Sequence, residues 1–327
     1  MKIPPNLNKY GQRAAFGLLF RQLMEADENI VICTADTSTS GGLDRCRKDF
    51  PDRVVEVGIG EQNLIGVAAG LALEKWSAFA ATFAPFVTLR CLEQLKVLVA
   101  YNQIPLKIVG YASGLALIDL GHTHCGIDDI AAIRSLNAVS TLAPADCNSL
   151  AKLLPQIVTT TYPIYLRLTG TAPCKAVYDQ SGAFRGKSVS HELGQLNKLI
   201  DGSDILVVAN GITVSNAVSA IDNLPNNVKD RVALIDCYDI STRSAHAIQK
   251  EISGWRNIIV VEEHRREGGI GEYIKYLLPE FPQCKTFLHL CIPDGFPHAS
   301  NHEEALHVSG LSEEHITQHI LQIAKKL

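Results

Sequence analysis

The sequence predicts an α/β protein built from two doubly wound domains, and three observations support that fold class. Short apolar segments rich in β-branched residues alternate with segments of helical periodicity, a pattern typical of parallel sheets that carry helices on both faces. Polar or glycine-rich loops follow several of these segments, where the carboxyl ends of parallel strands form sites. The 327 residues suffice for two cores, because one domain usually takes about 100–200 residues.

The first domain is predicted to hold six buried strands with helices between them. The strands cover residues 29–34, 53–57, 77–82, 106–110, 140–142 and 163–168. One helix begins at about Glu61, a second runs from about 84 to 101, and a third begins near Asp128. We assign residues 1–175 to this domain and residues 176–200, whose pattern is less periodic, to a linker.

The second domain, residues 201–327, repeats the alternation of strands and helices. Its strands are predicted at residues 205–211, 232–236 and 257–263. The turn Gly268-Gly269-Ile270-Gly271 then opens a helix towards Leu278. Such a turn either binds phosphate through its backbone amides or serves as a tight strand-to-helix connection. Because no Gly-x-x-x-x-Gly-Lys pattern accompanies it, we favour the tight connection.

Composition and charge argue against several classes of function. The net charge is −4 and charges of both signs are mixed along the chain, which argues against nucleic acid or a membrane as a partner. No segment approaches the roughly 18 apolar residues that span a bilayer. Nine cysteines without a Cys-x-x-Cys pair are typical of reduced thiols in a cytoplasmic protein. The N-terminal Met1-Lys2-Ile3-Pro4-Pro5-Asn6 shows no export signal, so we expect a cytoplasmic location.

Glu61 is an acidic residue in an otherwise apolar setting. It precedes the run from Leu64 to Leu73, whose many small residues predict a closely packed helix. A carboxylate at the start of such a helix is costly to bury without a partner, so it either caps local amides or meets a ligand. Taken alone, the helix cap is favoured, because acidic residues are common in the first turn of helices.

Five motifs in order along the chain resemble the transketolase family, and the resemblance extends from about Arg13 to Leu311. The motifs are Gly58-Ile59-Gly60-Glu61-Gln62-Asn63, Ala68-Ala69-Gly70-Leu71-Ala72, Thr82-Phe83-Ala84-Pro85-Phe86, Gly121-His122-Thr123-His124 and Ala143-Pro144-Ala145-Asp146. Any one of them would be weak, but their joint order is specific. The chain resembles the C-terminal subunit of a split transketolase, which implies a pyrimidine-binding thiamine-diphosphate fold followed by a transketolase C-terminal-like domain.

The resemblance implies that this chain holds the pyrimidine end of thiamine diphosphate. Glu61 matches the carboxyl group that hydrogen-bonds a pyrimidine nitrogen, so its loss is expected to lower the rate about a hundredfold or more. Phe83 and Phe86 match the aromatic pair that lies against the pyrimidine, and Ile59 is counted with the cofactor-binding residues. Ordinary core packing at helical spacing is the alternative for the two phenylalanines. Leu89 stands where the family has a third aromatic residue.

His124 matches the family histidine that faces the substrate. An imidazole in that place can hydrogen-bond a substrate oxygen or carry a proton. Two alternatives stay open. His122 and His124, together with Asp128 and Asp129, could bind a metal ion. Alternatively, both histidines have only a structural place in their loop.

Three further residues match the family's contacts to a substrate phosphate. They are two arginines, Arg13 and Arg167, and the serine Ser40. Taken singly, each of the three would be interpreted as an ordinary surface residue. Leu120 stands where the family has an aspartate that reads a substrate hydroxyl, and a phosphate-contacting histidine is missing near Ala112. These departures favour a substrate that is deoxygenated, differently configured or not phosphorylated.

The family's diphosphate motif, Gly-Asp-Gly followed by an asparagine, is absent from the sequence. The resemblance therefore implies that the diphosphate and its Mg²⁺ or Ca²⁺ are held by a partner, an N-terminal diphosphate-binding transketolase subunit. This chain would supply no metal ligand. We expect an α₂β₂ assembly with a large apolar contact between the two kinds of chain. Sugars or sugar phosphates are the expected substrates.

The leading hypothesis is a transferase that moves a two-carbon ketol or acyl unit from a ketose donor to an aldehyde or ketone sugar acceptor. A close alternative keeps the cofactor but changes the reaction. It is the β-subunit of a 2-oxo-acid dehydrogenase or acetoin-type enzyme, or a relative of deoxyxylulose phosphate synthase, and pyruvate decarboxylation would favour it. A non-catalytic regulatory paralogue is an alternative of another class, which failure to bind thiamine diphosphate would favour.

Overall fold

A computed structural model describes residues 2–170 and 172–327 and shows two α/β domains, as the sequence predicts. The strands of the first domain are β1 Ile30–Thr34, β2 Val54–Glu56, β3 Ser77–Phe83, β4 Lys107–Tyr111, β5 Ser140–Leu142 and β6 Ile164–Arg167. They form one parallel sheet in the order β2-β1-β3-β4-β6-β5. Their carboxyl ends therefore lie along one edge, where the predicted site loops follow.

Helices cover both faces of this first sheet. They are α1 Gly11–Ala26, α2 Asp44–Asp49, α3 Glu61–Leu73, α4 Ala84–Val87, α5 Leu92–Gln94, α6 Asp129–Arg134 and α7 Cys147–Val158. Side chains of α1 and α7 pack with Phe79 on one face, whereas α3 packs with Ala80 on the other. Because the strands are buried on both faces, their sequences read as continuous apolar runs.

The predicted helix over residues 84–101 is wrong as a single element. The chain forms α4, a turn over residues 88–91, α5, and then a π-helix at Leu95–Ala100. The Thr88 hydroxyl donates to the Ala84 carbonyl at 2.7 Å, a local side-chain bond that competes with helical continuation. The apolar period of the sequence continues through this turn, so periodicity alone does not reveal it.

The second domain is built on a five-stranded mixed sheet. Its strands are β7 Asn197–Ile200, β8 Ile205–Ala209, β9 Val232–Asp236, β10 Asn257–Arg265 and β11 Thr286–Ile292. They lie in the order β11-β10-β8-β9-β7, with β7 antiparallel to β9 at one edge and the other neighbours parallel. The predicted linker, residues 176–200, thus contains one strand of this sheet.

Helices also cover both faces of the second sheet. They are α8 Thr213–Asp222, α9 Asn226–Lys229, α10 Ala245–Ile252, α11 Ile270–Leu277, α12 His302–Val308 and α13 Glu313–Ala324. An apolar cluster lies on each face of this sheet, and the one under α8 and α13 includes Leu115 and Ile127 of the first domain, so the domains share part of a core. Across residues 2–170 and 172–327, no helix has both the length and the apolar character that a membrane span requires.

The glycine-rich turn before α11 is occupied by a carboxylate of the protein itself. Glu262, in β10, accepts hydrogen bonds from the amides of Ile270 and Gly271, both at 2.9 Å. A Cβ at Gly269 would lie 2.3 Å from the same carboxylate, so the turn requires glycine there. His289 pairs with Glu262 at 2.7 Å. The amides that a phosphate would need are already bonded, which favours the tight connection.

Candidate active site

Glu61 is the first residue of α3, beyond the carboxyl end of β2, and it is only 6 % exposed. The positive end of the helix dipole favours a negative charge in this first turn. Within the described residues, however, the hydrogen-bond partner of the carboxylate is not a local amide. It is Arg90, whose Nη1 lies 2.6 Å from Glu61 Oε1. The buried acid therefore faces a cation, and the helix-cap alternative does not describe its contact.

Arg90 is the residue of this site that sequence reasoning missed. It lies in the turn between α4 and α5, and its guanidinium carbon lies 4.1 Å from the centroid of the Phe86 ring. Its side chain is 46 % exposed. The sequence signal that could have identified Arg90 is a cationic residue directly after Leu89 in an apolar segment. The pairing with Glu61, 29 residues away, depends on the helix break, which the sequence pattern conceals.

Phe83 and Phe86 form an aromatic wall that adjoins the Arg90–Glu61 pair. Phe83 is the last residue of β3, and Pro85 in the first turn of α4 favours the bend that brings Phe86 against it. The two ring centroids are 6.0 Å apart in an edge-to-face arrangement. Both side chains are half-buried rather than enclosed, which leaves apolar ring surface for a ligand.

His124 lies against the same aromatic wall. The centroid of its imidazole is 5.9 Å from that of Phe83 and 5.2 Å from that of Phe86. The Thr123 hydroxyl lies 3.0 Å from His124 Nδ1 and orients the imidazole ring. Nε2 is therefore the ring nitrogen that a ligand can contact. The structure thus brings His124 to the two rings, one of which contacts Arg90, the partner of Glu61.

His122, in the same short 3₁₀ turn, faces the second domain instead. Its ring centroid lies 4.5 Å from that of Phe296 and 5.9 Å from that of His298. Across the two described ranges of the chain, no group of three or more His, Cys, Asp or Glu side chains is arranged to hold a metal ion. His122 and His124 therefore have different surroundings, and the described residues do not group them with the two aspartates as ligands of one metal ion.

Arg13 reaches the aromatic wall from α1. Its guanidinium carbon lies 5.9 Å from the centroid of the Phe83 ring. Its Nε is buried and has no hydrogen-bond partner among the residues that the structure describes. Burial lowers the pKa of this guanidinium below its ordinary value. A buried donor without an acceptor is costly, so this position suits an anionic ligand group.

Ile59 and Ser40 lie in exposed loops at the same edge of the sheet. Ile59, in the loop before α3, is 82 % exposed, and Ser40 is exposed in the loop that follows β1. The structure gives neither residue a contact with the aromatic wall. Their assignments to cofactor and substrate stay predictions.

Arg167 is buried between the two domains, and its assignment to a substrate phosphate stays a prediction. It ends β6, its side chain is 3 % exposed, and its Nε lies 2.8 Å from Asp129 Oδ2. Its Nη2 donates to the carbonyls of Gly126 at 3.2 Å and Glu263 at 2.9 Å. A guanidinium enclosed in this way neutralises Asp129 and joins the domains.

Glu263 connects this buried network to the loop that leads to the 3₁₀ turn. Its carboxylate accepts a hydrogen bond from the Leu115 amide at 2.8 Å and pairs with His302 at 2.6 Å. A Cβ at Gly114 would lie 2.2 Å from that carboxylate, so this close approach requires glycine. The second domain thereby fixes the start of the loop that carries His124.

Two family models match this chain. The transketolase pyrimidine binding domain matches residues 8–172, and the transketolase C-terminal domain matches residues 194–316. An apulose-4-phosphate transketolase subunit of Phocaeicola vulgatus is 34 % identical over 321 residues, which are 98 % of this chain and 99 % of that protein. Transketolase-like protein 2 of Homo sapiens is 28 % identical over 316 residues, 94 % of this chain but 48 % of that protein.

A solved structure has a closely similar fold. It is described as split gene transketolase, inactive beta4 tetramer, and it superposes with a TM-score of 0.83 at 26 % identity. The match covers 95 % of this chain and 97 % of that one. The present chain is therefore equivalent in extent to a separate subunit and to about half of the longer human relative.

Proposed function

The chain belongs to the transketolase family, and we propose that it is the C-terminal, pyrimidine-binding subunit of a split transketolase that depends on thiamine diphosphate. One observation carries the proposal. The buried carboxylate of Glu61 pairs with Arg90, whose guanidinium lies over the half-buried ring of Phe86, and Phe83 and His124 lie against that same ring. A scaffold protein has no need for a buried acid beside an open aromatic surface, which argues against a non-catalytic paralogue.

These residues fit the pyrimidine end of the cofactor. A planar ring with ring nitrogens needs an apolar surface to lie against and a carboxyl group to hydrogen-bond, and Phe86 and Glu61 offer both. Thiamine diphosphate, when bound, supplies the carbanion that breaks and forms the bond beside a carbonyl group. Because the sequence lacks Gly-Asp-Gly, we assign the diphosphate and its Mg²⁺ or Ca²⁺ to the partner subunit.

Each residue of the site has its own task in the proposed ketol transfer. Glu61 holds a hydrogen bond to a pyrimidine nitrogen and shares a proton there. Phe83 and Phe86 exclude water from that bond, which strengthens it. His124 presents Nε2 to an oxygen of the ketose donor or of the acceptor carbonyl, because its Nδ1 is engaged by Thr123.

We propose a sugar or sugar phosphate as the substrate. The related subunit of Phocaeicola vulgatus is named for apulose-4-phosphate, which supports this class. Since Arg167 is enclosed, an anionic group would be bound by Arg13, whose buried Nε lacks an acceptor in the described chain, and by Ser40. Leu120 is 55 % exposed and offers no hydrogen bond, so it suits a substrate without a hydroxyl at that place.

We propose an N-terminal, diphosphate-binding transketolase subunit as the partner, in an α₂β₂ assembly. Apolar side chains at Ile59, Leu73 and Tyr101 are 82 %, 61 % and 84 % exposed, as expected for a surface that another chain covers. On α3, a Cβ added to Gly66 or Gly70 would meet nothing within 4 Å, so a partner helix could approach closely. All nine cysteines are free thiols, which supports a cytoplasmic location.

Co-expression of this chain with the candidate partner, followed by an assay of ketol transfer, tests the proposal. The complex is expected to transfer a two-carbon unit from a ketose to an aldehyde sugar in the presence of thiamine diphosphate and Mg²⁺. Glu61→Ala should lower the rate about a hundredfold or more. Glu74→Ala is the matched control, because Glu74 is an exposed acid at the other end of α3.

Two outcomes would contradict this proposal, and a third would invalidate the comparison of variants. Equal rates for the wild type and Glu61→Ala would remove Glu61 from the mechanism. Decarboxylation of pyruvate without ketol transfer would favour a 2-oxo-acid dehydrogenase, acetoin-type enzyme or deoxyxylulose phosphate synthase relative. Loss of activity in the Glu74→Ala control as well would show that the assay reports folding and not chemistry.

A further inference from the structure

The side chain of Arg90 occupies the place beside Glu61 that the proposed function assigns to a ligand. Its Nη1 donates to Glu61 Oε1 at 2.6 Å, and its guanidinium carbon lies 4.1 Å from the centroid of the Phe86 ring. One planar group therefore contacts both the buried carboxylate and a face of the aromatic wall. Any role inferred for Arg90 from these contacts rests on the proposed function, because it concerns the cofactor named there.

A guanidinium resembles an aminopyrimidine in shape. Both groups are planar, both present N–H donors in their plane, and both stack on aromatic faces. Arg90 thus makes the two contacts that a pyrimidine would make with Glu61 and Phe86. We propose that Arg90 occupies the pyrimidine position in the cofactor-free subunit, and that binding of thiamine diphosphate displaces it.

The need for such an occupant follows from the burial of Glu61. A carboxylate that is only 6 % exposed is costly to leave without a counter-charge or a donor. Arg90 provides both while the cofactor is absent. In its place a pyrimidine nitrogen later shares a proton with the carboxyl group, so the acid is partnered in either state.

Displacement is feasible because Arg90 is held on one side only. Its side chain is 46 % exposed, against 3 % for that of Arg167, and its one ion pair in the described chain is with Glu61. Its backbone carbonyl accepts a hydrogen bond from the Gln62 side chain at 3.4 Å. The backbone can therefore stay in place while the long side chain swings outward to water.

The proposal predicts that Arg90 lowers the affinity for the cofactor. A ligand that must displace an occupant binds more weakly, in proportion to the fraction of molecules in which the site is open. A half-exposed charge-assisted hydrogen bond holds that fraction at roughly one in ten, as the modest strength of such pairs implies. Arg90→Gln should therefore tighten the binding of thiamine diphosphate by about tenfold.

Calorimetric titration of the two-subunit complex with thiamine diphosphate and Mg²⁺ tests this expectation. Arg90→Gln is compared with the wild type and with Arg90→Lys. The lysine keeps the charge but loses the plane that lies on Phe86, so its affinity should fall between the other two. Arg47→Gln is the matched control, an exposed arginine of α2 in the same domain, and it should leave the dissociation constant unchanged.

A double-mutant cycle with Glu61→Gln distinguishes competition for Glu61 from a general effect of charge. In the Glu61→Gln complex the carboxylate is absent, so Arg90→Gln should change the dissociation constant by less than about twofold. A tenfold gain that persists in this background would contradict the proposal. Thermal unfolding of every variant shows whether a change in binding reflects damage to the fold.

The outcomes separate this inference from the proposed function. If the wild-type complex binds thiamine diphosphate and Arg90→Gln binds it equally or more weakly, the displacement proposal fails and the cofactor assignment stands. If neither the wild type nor any Arg90 variant binds the cofactor, the assignment itself fails and the inference fails with it. Tighter binding by Arg90→Gln alone, with Arg47→Gln unchanged, supports both.

Discussion

Two arginine–carboxylate pairs of similar length have different surroundings in this molecule. The Arg167–Asp129 contact is 2.8 Å, with side chains 3 % and 0 % exposed. The Arg90–Glu61 contact is 2.6 Å, but the Arg90 side chain is 46 % exposed and that of Glu61 7 %. Contact length alone therefore says little about the role of either pair.

The other contacts of each pair decide its role. Arg167 also donates to two backbone carbonyls, and Asp129 also accepts from the Tyr165 hydroxyl at 2.6 Å. That pair is closed on all sides and joins the two domains. Among the described residues, Arg90 adds a ring face to one carboxylate bond, so this second pair is open to water on one side. We infer that the closed pair maintains structure, whereas the open pair, at the carboxyl edge of the sheet, is available to a ligand.

The largest expected effect is on stability, from breaking the closed pair. Arg167→Met should lower the free energy of unfolding by about 3–5 kcal/mol, because it leaves Asp129 buried without its counter-ion. Urea denaturation measures the change. Arg231→Met is the control, since the Arg231–Asp204 pair is about one-third exposed and its loss should cost less than about 1 kcal/mol. Equal losses of unfolding free energy in Arg167→Met and Arg231→Met would contradict the distinction between closed and exposed ion pairs.

The buried His289–Glu262 pair is a second closed pair, and its contribution to the free energy of unfolding is expected to depend on pH. Burial of His289 favours its neutral form, but its hydrogen bonds to Cys291 and Glu262 outweigh that effect and raise the pKa of its imidazole to about 9. A raised pKa means that this stabilisation is complete below pH 6.5 and is lost as the pH rises through about 9. The stability advantage of the wild type over His289→Gln should shrink by about 2–3 kcal/mol between about pH 6.5 and 9.5.

Urea denaturation of both proteins at several pH values measures that difference. Other thiols and amines titrate in the same range, and subtraction of the variant curve removes their contribution. A constant difference between the wild type and His289→Gln would show that the pair does not gain from protonation of the imidazole in the folded protein.

A smaller effect is expected at the aromatic wall. Phe83→Leu should weaken thiamine diphosphate binding by the complex about three- to tenfold, because it removes ring surface that a pyrimidine would contact. Phe79→Leu is the matched control on the same strand. Phe79 is fully buried, so that variant should lower the free energy of unfolding by about 1 kcal/mol and leave cofactor affinity unchanged. The reverse pattern would place the ligand elsewhere.

The smallest expected effect is that of the open pair on stability. Glu61→Ala should change the free energy of unfolding of the chain by no more than about 1 kcal/mol, because its partner Arg90 remains free to reach water. The same variant should lose activity about a hundredfold or more in the complex. Chemical denaturation of the isolated chain provides the check, and a loss of about 3 kcal/mol would make this pair structural too.

The sequence predicts all six strands of the first sheet and three of the five strands of the second, since each of these is a buried apolar run that a polar or glycine-rich loop ends. It misses β7 and β11, which lie at the two edges of the second sheet and are only partly buried. It also places Glu61, Phe83 and His124 at one edge, because consecutive parallel strands end there. These features depend on local composition and on the order of motifs. The structure accordingly brings the corresponding side chains to one site.

The sequence could not predict features that depend on contacts between distant segments. Arg167 follows an apolar strand like any residue at the site edge, and only the approach of Glu263, 96 residues later, encloses it. Arg90 turns towards Glu61 because Thr88 helps to break a helix whose apolar period continues. Neither event leaves a periodic signal, since each depends on a local competition or on packing between domains.

The most direct test of the central claim is calorimetric titration of thiamine diphosphate with Mg²⁺ into this chain, into its partner and into their complex. We expect binding by the complex, no binding by this chain alone, and much weaker binding by a complex that carries Glu61→Ala. Tight binding by the isolated chain would contradict the assignment of the diphosphate and metal to the partner. Equal binding by the Glu61→Ala complex would contradict the assignment of the pyrimidine end to this site.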